Sequence, residues 1–360
     1  MDKRIYQARR ENLRGLLKEK GLGAMLVTLD ANRYYLSGFE LEDGQSNESS
    51  GCLVITATGR DWLCTDARYA EAASRLWERE RVFIYGGAGA GGYGAQVNSL
   101  LKDKLQGSLG IEARCISLAF YEDVCAGLRV ERADGLVEAL RVVKSPEEVL
   151  AMRESCALNH KLMEWIPGAL ACGSTEVELA WKIEQFFRNN GASGLSFDSI
   201  VGINANAALP HARPGADRVG ENCCVLVDAG CRLHDYCSDQ TRTFWVGDKM
   251  PEHFLRALEQ VKAAQKRALA AIHPGAVCRD VHLAAYNCFA AQGVEKYFTH
   301  GLGHGVGLQV HEPPRLNLRD ETVLRPGMVV TVEPGLYYPA WGGVRWEYMA
   351  LVTEDGCVIF

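Results

Sequence analysis

Two histidines seven residues apart, His304 and His311, sit in a run that carries a glycine at every second position from Gly301 to Gly307. That spacing lets the backbone pass close to a neighbour while both imidazoles point at it, an arrangement suited to a metal ion or an anionic intermediate. Four carboxylates extend the set. Asp228 ends the apolar run from Cys223 to Val227 and Asp239 lies on the returning segment; Glu333 ends the run from Met328 to Val332 and Glu347 lies on its return. Paired as antiparallel hairpins, Asp228 opposite Asp239 puts the turn between Leu233 and His234, and Glu333 opposite Glu347 centres it on Ala340. Each pair then shares one face of its sheet.

Four ionised acids in one core would be opposed by desolvation and by mutual repulsion. Two divalent cations match their charge, and His304 supplies a neutral fifth ligand. Such an oxygen-rich set favours Mn²⁺, with Co²⁺, Fe²⁺ and Zn²⁺ also accommodated. Ions roughly 3.5 to 4 Å apart would share a water, lower its pKa and polarise a carbonyl, which is metal-assisted hydrolysis.

The elements that must hold these residues repeat. Val227-Asp228-Ala229-Gly230 and Val332-Glu333-Pro334-Gly335 form a weak internal repeat, one copy in each half of a pseudo-symmetric domain. Two helical stretches, about Glu252 to Ala271 and Val277 to Ala291, separate the hairpins. Upstream, Ser145, Pro146 and Glu148 form a capping box that opens a long helix with Val149, Met152 and Cys156 on one stripe. Thr175 and Glu178 repeat the signal for a helix ending at Asn189-Asn190-Gly191. The spacing predicts an α+β catalytic domain over 141–360, with its site in a central concavity.

Before that boundary, residues 1–140 read as an α/β domain. A surface helix runs from Gln7 to Lys20, strands fall at Ala24–Thr28, Cys52–Ala57, Asp61–Thr65 and Arg81–Tyr85, and a helix lies near Arg68–Arg79. Gly87, Gly89 and Gly92 fit the dinucleotide pattern G-x-G-x-x-G, with Glu112 twenty residues on as a ribose acid. A loop this rich in glycine matches many templates by chance, and a flexible loop is the expectation.

The chain has 360 residues, 48% apolar and 23% charged, with a net charge of −6. That composition suits two soluble globular domains and argues against nucleic acid or an anionic membrane as partner. No apolar run reaches the length of a membrane span, and Met1-Asp2-Lys3-Arg4 leads into an amphipathic stretch without a signal-peptide core; a cytoplasmic location is expected. The 13 cysteines contain no C-x-x-C and read as small buried hydrophobes, with adjacent Cys223 and Cys224 on opposite faces of a strand.

The segment His300 to Glu312, with Val227-Asp228-Ala229-Gly230, Ser238 to Thr243, Val332 to Gly335 and Arg345-Trp346-Glu347, resembles the pita-bread metallopeptidases, the Xaa-Pro aminopeptidases and prolidases. The N-terminal region is similar to the creatinase-like domain of that family, and the likeness runs the whole chain. The resemblance implies that Asp228 binds one metal, His304 and Glu333 the other, and that Asp239 and Glu347 bridge both. It also implies that Glu333 relays a proton, that His211 flanks the substrate, that His311 stabilises the tetrahedral intermediate, that Arg345 stands near the site, and that the chain is a homodimer.

Two departures stand out. Tyr348 follows the last glutamate, where relatives carry a small polar or acidic residue, and Phe360 comes soon after this strand, so a further C-terminal strand is expected to be short or missing. The leading expectation is an exopeptidase acting on peptides with proline at the second position, an Xaa-Pro aminopeptidase. The alternative is a prolidase acting on Xaa-Pro dipeptides. Two further readings keep the fold, a metal-free creatinase-like hydrolase or a lyase on a small sulfonium acid, and a non-catalytic binding module; creatinase-type enzymes and such modules lose metal ligands, and all five are present here.

Overall fold

The computed structural model describes residues 3–43, 49–86 and 91–360. The chain divides into two compact units, Met1–Arg141 and Val142–Phe360.

In the first unit, α1 (Lys3–Glu19), β1 (Leu22–Val27), α2 (Asp30–Ser37), β2 (Cys52–Thr56), β3 (Trp62–Asp66), α3 (Ala70–Leu76) and β4 (Val82–Tyr85) lead on to α4 (Tyr93–Lys104). They are followed by β5 (Ser108–Ile111), α5 (Leu118–Val124), β6 (Val130–Arg132) and α6 (Leu136–Arg141). One mixed sheet in the order β4-β3-β2-β1-β5-β6 carries them. The α/β reading therefore holds, although the helix expected over Arg68–Arg79 is confined to α3. Gly87 and Gly89 of the glycine pattern lie outside the described residues. Glu112 is no ribose acid: it is buried, and its carboxylate takes Thr28 N–H, Leu29 N–H and Asn32 Nδ2 at 2.5, 2.7 and 2.6 Å. Those bonds fix the start of α2, and burial pushes its pKa up to about 7.

The second unit begins with α7 (Pro146–Ala169) and α8 (Glu176–Asn189), each opened by a complete capping box, Ser145 with Glu148 and Thr175 with Glu178. The strands β7 (Gly194–Leu195), β8 (Ile200–Ile203), β9 (Cys223–Ala229), β10 (Cys231–Leu233), β11 (Tyr236–Cys237) and β12 (Gln240–Val246) follow. Then come α9 (Glu252–Ala270), α10 (Cys278–Ala290), β13 (Gly303–Gly305), β14 (Glu312–Leu316), β15 (Val329–Val332), β16 (Gly335–Tyr338), β17 (Gly342–Arg345), β18 (Tyr348–Val352) and a three-residue β19 (Cys357–Ile359). Two helices and then antiparallel strands occur twice, which is the internal repeat in three dimensions. The major sheets run β12-β9-β8 and β14-β13-β15-β18-β19.

Alternation along β9 shows how the halves are packed. Cys223, Val225, Val227 and Ala229 join one core with Leu162 and Ile166 of α7 and Ile183 and Phe187 of α8. Cys224 and Leu226, on the opposite face, join a second core with Phe254 and Val261 of α9, Val281 and Phe289 of α10, and Val330 and Val332 of β15. All 13 cysteines are free thiols; nine are buried as expected, whereas Cys288 and Cys357 are half-buried and Cys115 and Cys172 are exposed. Among the described residues no helix is long and apolar enough to cross a membrane.

Candidate active site

The first hairpin is registered two residues away from the expected pairing. Asp228 stands opposite Thr241, and Arg232 opposite Cys237. The turn is His234-Asp235, both at positive φ (50° and 71°), the shape of a two-residue type I′ turn. A slip of two residues preserves every side chain's face, so Asp239 lies diagonally across from Asp228 on the same side. The second hairpin keeps the expected register. Gly335 pairs with Arg345 and Val332 with Tyr348, and the same register carries Glu333 opposite Glu347.

These two hairpins and β13 bring the acids and His304 together. Oxygens of Asp228, Asp239 and Glu347 lie within 4.8 Å of one another, and all three residues are buried. His304 Nε2 stands 3.3 Å from Glu333 Oε1 and 3.6 Å from Asp239 Oδ2. The glycines make that approach possible: a Cβ on Gly303 would collide with the backbone oxygen of Thr331, and one on Gly305 with that of Pro313. The close neighbours the glycines serve are thus the flanking strands, which seat β13 between β15 and β14.

Charge in the cluster is poorly compensated by protein. Burial, and then neighbouring carboxylates, push Asp239 and Glu347 well above the carboxylate range; burial raises Glu333 to about 7. His304, buried and next to His311, is lowered to about 3 and is therefore a neutral ligand-type imidazole. Asp228 Oδ1 and Glu347 Oε1 are buried without a hydrogen-bond partner in the described protein. Buried, unpartnered oxygens beside one neutral imidazole fit divalent cations, which invert the local pKa logic.

Arg345 supplies partial compensation. Its guanidinium is buried and bonds Asp228 Oδ2 at 2.7 Å, Thr241 Oγ1 at 2.9 Å, Tyr337 OH at 2.8 Å and the Pro210 carbonyl at 3.3 Å. It thereby acts on the carboxylates and ties them to the loop that bears His211. His211 and His311 are exposed on the wall of a cavity of about 1180 Å³ whose lining also holds Asp228, Asp239, His304, Glu333 and Glu347. His311 packs edge-on against His304, with ring centroids 4.4 Å apart.

Residues 150–354 match the model of metallopeptidase family M24, and residues 9–143 match the creatinase/prolidase N-terminal domain. The chain belongs to metallopeptidase family M24. An Xaa-Pro dipeptidase of Pyrococcus horikoshii is 32% identical over 348 residues, 94% of this chain and 93% of that protein. The structure of an Xaa-Pro dipeptidase from Bacillus anthracis superposes with a TM-score of 0.90 at 31% identity, covering 98% of this chain and 97% of that one. An X-Pro aminopeptidase from Thermotoga maritima gives 0.83 at 28% identity, over 94% and 95%. Family M24 makes this a metallopeptidase with divalent metals.

Several residues of the candidate site carry no signal that the sequence motifs supply. Thr331 Oγ1 accepts from His304 N–H at 3.0 Å and donates to Glu333 Oε1 at 3.1 Å; Thr241 Oγ1 donates to Glu347 Oε2 at 2.7 Å. Each threonine is two residues from a carboxylate, and period-two alternation is the signal that would have placed it on the same face. His300 is hydrogen-bonded to Tyr337 OH at 2.8 Å and lines the cavity. Arg315, paired with His304 across β13 and β14, is exposed on the cavity wall.

Tyr348 lies behind the cluster. It and Trp346 sandwich the Arg242 guanidinium at 4.2 and 4.3 Å from their ring centroids, while Arg242 Nη1 donates to the Glu347 carbonyl at 2.6 Å. The departure at position 348 thus braces the backbone of Glu347 through a stacked cation.

Proposed function

We propose that the protein is an Xaa-Pro dipeptidase, a prolidase that splits the bond between a first residue and a terminal proline. The convergence of Asp228, Asp239, His304, Glu333 and Glu347 at the base of one cavity carries this reading. Relatives named Xaa-Pro dipeptidase that align over nearly the whole chain favour it over the aminopeptidase that the sequence reading put first. The five residues hold two divalent ions, with Mn²⁺ preferred by so oxygen-rich a set. Such a centre supplies Lewis acidity, polarising the scissile carbonyl and making water nucleophilic near neutral pH.

The remaining steps belong to side chains. Glu333, fixed at Oε1 by Thr331, takes the proton from the attacking water and passes it to the departing proline nitrogen. His311, whose pKa burial lowers, stays neutral near pH 7 and donates to the oxygen that becomes an oxyanion. His211, on the cavity wall, flanks the substrate, and Arg345 fixes Asp228. Proline lacks an N–H, so the site must be shaped for a ring. Arg315, an exposed cation on that wall, suits the free carboxylate that only a dipeptide offers directly after proline.

The test is hydrolysis of Ala-Pro, Ala-Pro-Ala, Ala-Pro-Ala-Ala and Ala-Ala-Ala with Mn²⁺ present. Cleavage of Ala-Pro well above the longer peptides is expected. Equal or faster cleavage of the longer proline peptides makes the enzyme an aminopeptidase, and indifference to proline sinks the imino-acid specificity.

A further inference from the structure

Helix α8 opens on a carboxylate that its own cap does not use. Thr175 and Glu178 close the capping box between themselves, whereas Glu176, the first helical residue, is 0% exposed and bonds elsewhere. Its Oε1 accepts from Ile203 N–H at 2.7 Å; its Oε2 accepts from Asn206 Nδ2 and from Gly215 N–H, each at 2.7 Å. A carboxylate this deeply buried is retained only where donors meet it, and here three donors and a helix N-terminus do so.

All three donors belong to one loop. Ile203 is the last residue of β8, Gly215 is the far foot, and Asn206 sits in the short 3₁₀ turn Asn204–Ala208 between them. A single carboxylate therefore ties the neck of the segment 204–214. Beyond that neck Pro210, His211, Ala212, Arg213 and Pro214 line the cavity. The same neck is reinforced by Val177 N–H donating to the Gly215 carbonyl at 3.2 Å.

We infer that Glu176 is a positioning residue for hydrolysis: it touches no substrate, and it acts through the 204–214 loop to hold His211 against the bound peptide. The inference rests on the dipeptidase reading for its substrate, and on the loop geometry for its mechanism.

Glu176→Gln keeps the volume but presents an amide NH₂ to donors, and it is compared with His211→Ala and with the double variant. Three readouts are taken: metal content, amide hydrogen exchange over residues 203–215, and kcat and KM on Ala-Pro. Expected are unchanged metal content, exchange in the loop faster by about tenfold or more, and a loss in kcat/KM divided between kcat and KM as in His211→Ala. The double variant should fall within about threefold of His211→Ala, because both changes remove one function. Unaltered loop exchange overturns the inference, and so do losses that multiply in the double variant. Should Glu176→Gln fail to fold, Asn206→Ala removes one of the three bonds from the loop side and must move every readout in the same direction. A wild-type protein inactive on the whole peptide panel sinks the dipeptidase reading; the loop's exchange then decides alone whether Glu176 holds His211.

Discussion

Arg345 Nη2 lies 2.7 Å from Asp228 Oδ2, and this ion pair sets one guanidinium against the four carboxylates of the site. Asp239, Glu333 and Glu347 are all raised, chiefly by burial. An acid whose folded pKa exceeds its unfolded value binds more protons when folded, so its stability contribution is complete below the unfolded pKa and is lost as pH rises through the folded one. For Glu333 that window runs from 4.5 to about 7. At about 1.4 kcal/mol per pKa unit, Glu333 alone costs the metal-free protein roughly 3 kcal/mol by the top of the window. The Tm of chelator-treated protein should therefore fall across that range, and Mn²⁺, binding only the folded state, should restore it. A metal-free Tm that is flat or rising there would count against the electrostatic account.

Asp239 and Glu347 contribute oxygens to the buried cluster from different hairpins. Asp239→Ala and Glu347→Ala should each bring the content of divalent metal from two ions per chain to one or fewer, measured after gel filtration. Two ions retained in both variants would falsify the bridging assignment.

Thr331 joins a backbone and a side chain: its hydroxyl accepts from His304 N–H and donates to Glu333 Oε1. Thr331→Val keeps the shape and removes both bonds. Metal affinity should fall about 10- to 100-fold, as for other groups that orient ligands from behind. Metal titration of the variant decides it; unchanged affinity removes Thr331 from the site.

The distribution of what could be read from the sequence follows the range of the interactions. Capping boxes at Ser145 and Thr175 are local chemistry, and both helices start where those residues put them. The face shared by Asp228 and Asp239 depended only on alternation, so it survived a register error of two residues that the turn His234-Asp235 imposes. The bonds of Arg345 to Asp228 and Pro210, and of Glu176 to Ile203 and Gly215, join residues far apart in the chain and leave no periodic trace. Gly87, Gly89 and Glu112 show the converse: a spacing that fits a motif while Glu112 does structural work inside another network.

His311 is exposed on the cavity wall and packs against His304 without belonging to the carboxylate cluster. His311→Ala should lower kcat on the order of 10²-fold, the loss typical of one oxyanion donor, while metal content stays at the wild-type level. If lost metal accounts for the whole defect, His311 is a ligand rather than a donor to the substrate.

Length selection is where Arg315 enters. It pairs directly with His304 between β13 and β14, and residues directly opposite in an antiparallel ladder project from the same face, so its guanidinium belongs on the side of the metal site. Its charge is felt by His304, His311 and Glu333 alike. A dipeptide ends in a carboxylate directly after proline, whereas a longer peptide has an amide there. One charge-assisted hydrogen bond is worth about 1.5 to 3 kcal/mol, which corresponds to roughly 10- to 100-fold in affinity. Arg315→Gln should therefore raise KM for Ala-Pro by that factor with little change in kcat, and leave the slow hydrolysis of Ala-Pro-amide almost untouched. Steady-state kinetics on the two substrates separate the possibilities. An equal loss on both would mean that Arg315 acts on the metal site through its charge, and the discrimination between dipeptide and longer peptide would have to come from elsewhere in the protein.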